Sequence, residues 1–482
     1  MTDQPSDSPK EPVGLARGFR AWWALSEDVG PFIRTGQIVL DANVLLHLYR
    51  VTPAAREQIL ATLLEVQGRI WIPHQAAVEF HRNRTSVVRA RLGTFREVRQ
   101  SLKQATNNAV AEIRKAVVRF RTLQQSSMTG RDWDPDANGL DELSIHRRID
   151  GVMDGALAEL ARIEAEHDLG PDDIRRDDPV LGRLDAITAG RVGQPYSSER
   201  LQKLVEEAIL YRFPSEIPPG YRDTDSKENP YRAAGDYILW RQVLDHAKAY
   251  ARGQLLVLVT NDAKEDWWIL DDKGRPKSGR PELKQELFDC SGAVMAQMML
   301  SNFLEQVAEY YPDQISPDTV SQVRESELAA QIDAEISASS LDSRLDLMKL
   351  SPTVLEHLVR QLLEAMGYEA FITRATHDSG FDIDAIRPTS GSERERTLVE
   401  VKRYRSVVSP ETVRALYGTL QDENADQAMI ITTSWFASSS KVFAQGKSLT
   451  LVEGTELLAL LREHLGIEAI IPERRKRPTG DT

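Results

Sequence analysis

The stretch from Gly380 to Lys402, GFDIDAIRPTSGSERERTLVEVK, constrains the fold more than any other part of the chain. Apolar and acidic residues alternate in its two runs, FDIDAI and TLVEVK, and a polar loop separates them. Alternation with a period of two, bounded by turn residues, predicts a β-hairpin. Asp382 and Asp384 then share one face of the first strand. Glu400 and Lys402 share one face of the second, so pairing the strands gathers two or three carboxylates and one ammonium.

Such a patch suits a hard divalent cation. Mg²⁺ and Mn²⁺ take oxygen ligands and keep water molecules that can take part in chemistry. A neighbouring lysine could orient or deprotonate the attacking water and stabilise the charge that develops on a phosphate. The alternative is a solvated hairpin whose acids face water, which is the usual situation for an isolated Glu-x-Lys triplet.

The segments on either side of the hairpin predict further α/β structure. Upstream, LSPTVLEHLVRQLLEAMGYEAFITR predicts a helix and then a strand, with Ser351 as N-cap and Glu356 in the first two turns. Downstream, AMIITTSWFASSSKVFAQG and LTLVEGTELLALL each predict a strand, a turn and a helix. The hairpin therefore lies in the middle of one α/β domain.

This order of elements resembles the Mrr-type restriction endonucleases of the PD-(D/E)xK fold. The resemblance spans roughly residues 350 to 465 and includes the run ITTSWF. It implies cleavage of DNA phosphodiesters with Mg²⁺ or Mn²⁺ held by Asp382 and Glu400. Glu356 would support a metal, and Lys402 would act on the water and the transition-state charge. Many relatives carry glutamine in place of Glu400. The family's methylated-DNA recognition usually depends on a winged helix that we do not find in the sequence, so methylation specificity is not implied.

A second set of acids follows predicted strands in the amino-terminal half. IVLDANVLLHLY places Asp41 where a strand ends, and RIWIPHQAAVEF is a strand followed by a helix that carries Glu79. GDYILWRQVLDHAKAY has Asp236 in its first helical turn, and LLVLVTNDAKEDWW has Asp262 just beyond a strand. Alternating strands and helices predict a parallel sheet, which binds ligands at the carboxyl ends of its strands. Four acids there would repel one another without a cation, so the pattern predicts Mg²⁺ or Mn²⁺.

Each of these acids taken singly could simply cap a helix, so the set carries the argument. With LDANVLLHLY, IPHQAAVEF, IPPGYRDTDSK, GDYILW and VTNDAKEDWW, it resembles the PIN domain, a metal-dependent nuclease fold, in a bacterial PIN-like branch with a long internal insertion. The resemblance covers roughly residues 15 to 310. PIN-like domains can also be binding or regulatory modules. The acidic set that the resemblance implies is Asp41, Glu79, Asp236 and Asp262, with Asp223 and Asp266 as weaker candidates.

A long basic helix is predicted to continue beyond Glu79. Between residues 82 and 121 the sequence holds eleven basic residues and two acidic ones. The spacing of seven among some of them predicts one slowly drifting stripe, and an acidic helix at 140–167 could pair with it. The preferred interpretation is an arm that follows phosphates with salt-sensitive affinity. Its candidate nucleic-acid contacts are Arg82, Arg89, Arg96, Lys103, Arg114 and Arg121.

Composition bounds the setting of the protein. The formal net charge is −13, which by itself argues against nucleic-acid binding, although residues 312–350 alone contribute −5. Cys290 is the single cysteine, so a disulfide is excluded and a reducing cytoplasm is expected. No apolar run approaches the ~20 residues that span a bilayer, so no membrane association is expected.

The sequence therefore predicts an α/β chain with a PIN-like parallel-sheet domain, a long helical insertion and a restriction-endonuclease-like α/β domain. The predicted boundaries are a disordered tail at 1–14, the PIN-like domain at 15–310 with its insertion at about 82–200, an acidic linker or connecting helix at 311–349, the Mrr-type domain at 350–471 and a basic tail at 472–482.

Three functional hypotheses follow from this organisation. The first is a metal-dependent DNA endonuclease in defence against foreign DNA, with the PIN-like domain as a second nuclease or nucleic-acid-binding head. The second is a PIN-type ribonuclease that uses the Mrr-type part for docking. In the third, the PIN-like domain is a non-catalytic sensor that gates the nuclease. DNA is the expected partner and RNA the alternative, and a homo-oligomer would supply the second cut that a duplex needs.

Overall fold

The structure is a computed structural model, and by contact its chain divides into two compact units. It describes residues 14–23, 28–126, 134–165, 169–223, 229–312, 314–341, 344–373, 380–388 and 394–472. The predicted disordered and basic tails lie almost wholly outside these ranges. The amino-terminal unit comprises Met1–Tyr221, Asn229–Asp262 and Pro281–Ser326. The carboxyl-terminal unit comprises Arg222–Glu228, Ala263–Arg280 and Glu327–Thr482.

The helices and strands alternate along much of the chain. The helices are α1 (Arg20–Trp23), α2 (Gly30–Thr35), α3 (Ala42–His47), α4 (Pro53–Glu65), α5 (His74–Ser126), α6 (Glu142–Ala165), α7 (Pro171–Arg176), α8 (Pro179–Thr188), α9 (Ser198–Glu207), α10 (Pro230–Ala233), α11 (Gly235–Tyr250), α12 (Pro281–Ser291), α13 (Leu300–Tyr310), α14 (Pro317–Ser339), α15 (Pro352–Ala365), α16 (Pro410–Asp422), α17 (Ser438–Ala444) and α18 (Gly454–Leu465). The strands are β1 (Gln37–Leu40), β2 (Ile70–Trp71), β3 (Leu255–Val259), β4 (Trp268–Leu270), β5 (Pro276–Gly279), β6 (Val294–Met298), β7 (Ser340–Leu341), β8 (Arg344–Asp346), β9 (Glu369–Ile372), β10 (Ile383–Pro388), β11 (Arg394–Lys402), β12 (Gln427–Thr432), β13 (Leu449–Val452) and β14 (Ala469–Ile470).

The amino-terminal unit is built on a four-stranded sheet in the order β2-β1-β3-β6. All three pairings are parallel, as the alternating strands and helices predicted. Residues Ile38, Val39 and Leu40 of β1 are fully buried. Their continuous apolar run is typical of a parallel strand that is covered on both faces. Since Leu40 pairs with Val259, the carboxyl ends of β1 and β3 lie side by side.

The helical insertion forms a hairpin of two helices. Helix α5 has 53 residues, which at ~1.5 Å per residue corresponds to about 80 Å. Helix α6 packs against it, with Val110 of α5 and Ile145 and Leu160 of α6 buried. The pairing of the basic helix with an acidic partner, which the sequence left open, is therefore what the structure shows.

The carboxyl-terminal unit contains a five-stranded sheet in the order β13-β12-β11-β10-β9. The predicted β10–β11 hairpin is confirmed, with Ile383 opposite Val399. Strands β11, β12 and β13 run parallel, whereas β9 and β10 are antiparallel to their neighbours. Helices α15 and α18 bury one apolar cluster with the sheet, and α16 and α17 bury another with Ala428 and Ile430. The segment predicted as a linker contains the long helix α14.

The same unit contains a small antiparallel hairpin, β4–β5, from the segment between Asp262 and Pro281. Its turn is held by Asp271, whose Oδ1 accepts hydrogen bonds from the backbone N–H groups of Lys273 and Arg275, both at 2.9 Å. Gly274 has φ +78°, a conformation that favours glycine. Within the described ranges of the chain, no helix is long and apolar enough to cross a membrane.

Candidate active sites

Asp382 lies just before β10, beside the Ile383–Val399 pair at which the hairpin register begins. Its backbone N–H donates to the Val399 carbonyl at 2.9 Å, and its Oδ2 accepts from the Val401 N–H at 2.8 Å. The residue is only 8% exposed. The backbone of β11 therefore holds the Asp382 carboxylate within the electrostatic range of Glu400.

Glu400 and Lys402 form the second part of this site. The Lys402 Nζ lies 2.7 Å from the Glu400 Oε1. Burial raises the pKa of the Glu400 carboxyl even though Lys402 opposes the change. Burial also acts against the charge of Lys402, but the Glu400 carboxylate outweighs it and raises the pKa of the ammonium. The ion pair thus leaves Lys402 protonated at neutral pH.

Glu356 is buried in the first half of α15, where its Oε1 lies 3.2 Å from the Nζ of Lys273. The same Nζ donates to the Oδ1 of Asp382 at 2.9 Å. Burial first, and then the charge of Asp382, raises the pKa of the Glu356 carboxyl. The structure therefore brings Glu356 and Asp382 together around one ammonium group.

Lys273 was not predicted from the sequence. The run Asp271–Gly274, with apolar residues before it, is typical of a hairpin turn and could have indicated β4–β5. That signal does not identify a partner, because Lys273 and Asp382 are 109 positions apart.

Asp384 does not join the group. Its carboxylate accepts from Arg396, with the Nη2 at 2.7 Å and the Nε at 3.0 Å. Arg396 also lies 3.4 Å from Glu423. The third carboxylate of the predicted patch therefore belongs to a neighbouring ion-pair network.

In the amino-terminal unit, Asp41 lies at the carboxyl edge of the parallel sheet. Its Oδ1 accepts from the Ala42 N–H at 2.6 Å, and its Oδ2 accepts from Thr260 Oγ1 at 2.8 Å and Asn43 Nδ2 at 3.3 Å. Burial, followed by the charges of Glu79 and Asp262, raises the pKa of Asp41 from 3.8 to about 7. The neutral donors therefore do not compensate the buried charge of Asp41.

The other acids of this set come from three different elements. Glu79 is on α5 and accepts from Gln75 Nε2 at 2.7 Å. A Cβ on Gly235 would lie 2.7 Å from the Glu79 Oε1, so the first turn of α11, which carries Asp236, approaches Glu79 closely. Asp262 follows β3, and its N–H donates to Thr260 Oγ1 at 3.1 Å. The structure thus brings Asp41, Glu79 and Asp262 into electrostatic range, with Asp236 on the helix whose start adjoins Glu79.

Asp223 and Asp266, the weaker candidates, belong by contact to the carboxyl-terminal unit. Lys264 Nζ lies 2.8 Å from the Asp223 Oδ1, and the Arg222 N–H donates to the Asp266 Oδ2 at 3.2 Å. Both aspartates are fully buried. These contacts are typical of residues that stabilise the local chain.

The basic candidates divide into two groups. Arg114 pairs with Glu142, and Arg121 pairs with Asp136 at 2.6 Å, so the acidic side of the helical hairpin neutralises them. The remaining four are exposed and make no ion pair with any described residue: Arg82, Arg89, Arg96 and Lys103. Nucleic-acid binding by this set stays a prediction.

The donors fit a divalent cation in chemical type. The Oε2 of Glu400 is buried and accepts no hydrogen bond from the described residues. A buried carboxylate oxygen without a donor favours a cation as its partner. However, no three Asp, Glu, His or Cys side chains in the described parts of the chain converge as a preassembled metal group. Metal binding by Asp382 and Glu400, and by the Asp41 set, therefore stays a prediction.

The two units together define a class of protein in which two nuclease-type α/β domains share one chain. The family described as PIN like domain matches residues 37–283, just over half of the 482 residues. The family described as Restriction endonuclease, the Mrr catalytic domain, matches residues 347–461. The chain belongs to the PIN-like domain family and carries a carboxyl-terminal Mrr-type restriction endonuclease domain, so both predicted resemblances are confirmed.

One curated relative is similar over part of this region. The chain is 29% identical over 153 residues to the type IV methyl-directed restriction enzyme EcoKMrr of Escherichia coli (strain K12). The match covers 27% of this chain and 50% of the relative, so the chain spans about half the length of that protein.

Two solved structures are also similar. They are the DNA modification-dependent restriction endonuclease AspBHI, with 18% identity and a TM-score of 0.23, and the MspJI restriction endonuclease in complex with a 27-mer oligonucleotide, with 20% identity and a TM-score of 0.21. Each match covers 30% of this chain, and they cover 36% and 32% of the two solved chains. TM-scores this low do not establish a shared fold.

Proposed function

We propose that this protein is a Mg²⁺- or Mn²⁺-dependent endonuclease that hydrolyses DNA phosphodiester bonds at its carboxyl-terminal site, in cytoplasmic defence against foreign DNA. The observation that carries the proposal is that the β11 backbone holds Asp382 within the electrostatic range of Glu400, with Lys402 beside Glu400 at 2.7 Å. The Mrr-type family match over the same residues and the similarity to a restriction enzyme support it.

Asp382 and Glu400 would hold the cation, and Glu356 would support it. When bound, the cation polarises the phosphate and lowers the pKa of a bound water. The Val401 N–H fixes the orientation of the Asp382 carboxylate, so its ligand position is preorganised.

Lys402 would act on the substrate. Its ammonium stays protonated beside Glu400 and can donate hydrogen bonds to the attacking water and to a phosphate oxygen. Lysine is suited to this role because it presents a compact positive charge with three donors.

The amino-terminal site supports a second activity, because the buried Asp41 carboxylate lies within the field of Glu79 and Asp262. Such a group favours binding of a divalent cation. The PIN-like domain would then be a second nuclease or a nucleic-acid-binding head, and a PIN-type ribonuclease is the competing interpretation.

The test uses the full chain and two variants, Lys402→Ala and Asp41→Asn. Each is incubated with supercoiled plasmid and with structured RNA, in Mg²⁺, Mn²⁺ or EDTA. The proposal expects plasmid cleavage that needs metal and that only Lys402→Ala abolishes. RNA cleavage that only Asp41→Asn abolishes would make the PIN-like domain the principal enzyme.

A further inference from the structure

Lys273 reaches the proposed metal site from the β4–β5 hairpin, which lies far from the Mrr-type domain in the sequence. It lies within the PIN-like match at 37–283, yet the β4–β5 hairpin belongs by contact to the carboxyl-terminal unit. Its Nζ lies between Asp382 Oδ1, at 2.9 Å, and Glu356 Oε1, at 3.2 Å. Both partners are buried acids of the proposed metal site.

The position of Lys273 is built by the fold. The carbonyl oxygen of Lys273 accepts two hydrogen bonds from Thr353 at the start of α15, one from its N–H at 3.2 Å and one from its Oγ1 at 2.7 Å. A Cβ on Gly274 would lie 2.8 Å from the Cβ of Ser351, so the turn packs tightly against the helix start. The turn therefore presents the lysine toward α15 and β10 in a defined geometry.

An ammonium in this position supplies part of the positive charge that a divalent cation would bring. It reduces the repulsion between two acids, and it occupies the carboxylate oxygens that a divalent ion would need. The Lys273 side chain is still 36% exposed, so it has room to move into solvent. Glu400 already has an ammonium partner in Lys402, so the Lys273 ammonium is not needed to pair with it.

Resting on the proposed function, we propose that Lys273 is an intramolecular plug that holds the nuclease site in a resting state by taking the place of the divalent cation. Metal binding requires the Lys273 ammonium to leave Asp382 and Glu356. The β4–β5 hairpin is thereby a regulatory element of the carboxyl-terminal site, and its release raises the metal affinity of that site.

The experiment measures Mn²⁺ binding to the full chain from the loss of the free-ion paramagnetic resonance signal. Binding at this site is the part that Asp382→Asn removes. Lys273→Met is compared with Lys277→Met, which changes an exposed lysine of the same hairpin. We expect Lys273→Met to tighten Mn²⁺ binding about tenfold, and Lys277→Met to leave it unchanged.

Plasmid cleavage provides the second readout. The Mg²⁺ concentration for half-maximal cleavage should fall in Lys273→Met by a similar factor, while the rate at saturating Mg²⁺ is retained. Lys273→Gln, which removes the charge but keeps a donor, should behave in the same way and replaces Lys273→Met if that variant does not fold.

Two results would overturn the plug. In the first, Lys273→Met and Lys273→Gln bind Mn²⁺ no more tightly than wild type and still cut plasmid. In the second, they bind Mn²⁺ no more tightly and lose cleavage at saturating Mg²⁺, which would make Lys273 a substrate-contacting residue. If wild type cuts plasmid and Lys402→Ala does not, the proposed function stands in either case. If wild type neither cuts DNA nor shows Mn²⁺ binding sensitive to Asp382→Asn, the proposed function fails and the plug fails with it.

Discussion

The two carboxylate sites of this protein compensate their buried charge in different ways. In the carboxyl-terminal site, Lys402 lies 2.7 Å from Glu400 and Lys273 bridges Asp382 and Glu356. In the amino-terminal site, the donors to Asp41 are a backbone N–H, an amide and a hydroxyl, which are all neutral. The described carboxyl-terminal acids are therefore paired with ammonium groups, whereas the donors to Asp41 carry no charge.

This difference separates two consequences of metal binding. A cation entering the carboxyl-terminal site displaces the Lys273 ammonium, so it adds little to the charge compensation that the site already has. A cation entering the amino-terminal site would offset the repulsion that Glu79 and Asp262 exert on the buried Asp41 carboxylate. Acidic clusters of similar composition therefore differ in what the ion contributes.

The largest expected effect tests whether the carboxyl-terminal acids differ in role. Asp382→Asn should lower plasmid cleavage by on the order of 10³-fold, because it weakens the ligand position within the electrostatic range of Glu400. The matched control is Asp384→Asn on the same strand face, which loses the ion pair with Arg396 instead. Cleavage should change less than threefold in the control. Equal loss in both variants would mean that fold damage, and not chemistry, explains the result.

The second prediction concerns the pH dependence of the amino-terminal site in EDTA. The folded-state pKa of Asp41 is about 7, above its ordinary 3.8. Between these values the folded protein holds a proton that the unfolded chain has lost, so this group makes stability fall as pH rises. Asp41→Asn does not titrate, so it should be more stable than wild type by about 4 kcal/mol at pH 8 and by much less at pH 4.

Urea unfolding at pH 4, 6 and 8 measures this difference. Asp185→Asn, which changes an exposed aspartate of the same unit, is the control and should show no such trend. A gain for Asp41→Asn that is the same at all three pH values would rule out an uncompensated charge at Asp41.

The third prediction asks whether the amino-terminal unit delivers nucleic acid. Replacing the exposed Arg82, Arg89 and Arg96 together by glutamine should weaken binding to a labelled single strand by about tenfold at 0.1 M salt. In a plot of the logarithm of the binding constant against the logarithm of salt concentration, the slope should decrease in magnitude by roughly two to three, since each arginine neutralises one phosphate. Fluorescence anisotropy against salt concentration measures both.

The ion-paired arginines of the same helix provide the comparison. Arg114→Gln with Arg121→Gln should have the smaller effect, because Glu142 and Asp136 already neutralise these side chains. Equal effects from the two sets would contradict the division of the helix into an exposed stripe and a paired segment.

The smallest predicted effect concerns the support of the plug. Thr353→Val removes the 2.7 Å hydrogen bond to the Lys273 carbonyl and should cost about 1 kcal/mol of stability. It should also lower the Mg²⁺ requirement for cleavage by about twofold, which is less than Lys273→Met does. Thr419→Val removes a hydroxyl that donates to the Ala415 carbonyl in its own helix, and it is the control. A higher Mg²⁺ requirement in Thr353→Val would contradict the idea that this bond holds Lys273 in place.

Local sequence pattern predicted much of what forms these sites. Period-two alternation predicted the β10–β11 hairpin, which the structure contains. Apolar runs followed by acids predicted the parallel sheet and the place of Asp41 at its edge. Both predictions succeed because strand formation and strand direction follow from short-range periodicity.

The remaining features depend on contacts between distant residues. Asp384 pairs with Arg396 and not with the predicted patch. Which arginine it would meet depends on the register of the two strands near the loop, and the sequence does not determine that register. The partners of Arg114 and Arg121 follow from the packing of α5 against α6. The contact of Lys273 requires a hairpin that joins another part of the chain, which no local pattern encodes.

Residues 263–280 precede the Mrr-type domain in the sequence but pack within the carboxyl-terminal unit. This matters for where fragments of the protein are cut and for how its domains are exchanged in evolution. The boundary between the two family matches falls between 283 and 347, but the hairpin that touches Asp382 lies on the amino-terminal side of it. A fragment cut at that boundary would retain every acid of the nuclease motif and lose Lys273. The activity measured for such a fragment would be that of a site without the Lys273 plug. Exchange of the carboxyl-terminal domain between relatives would likewise transfer the acids of the site without the lysine that regulates them.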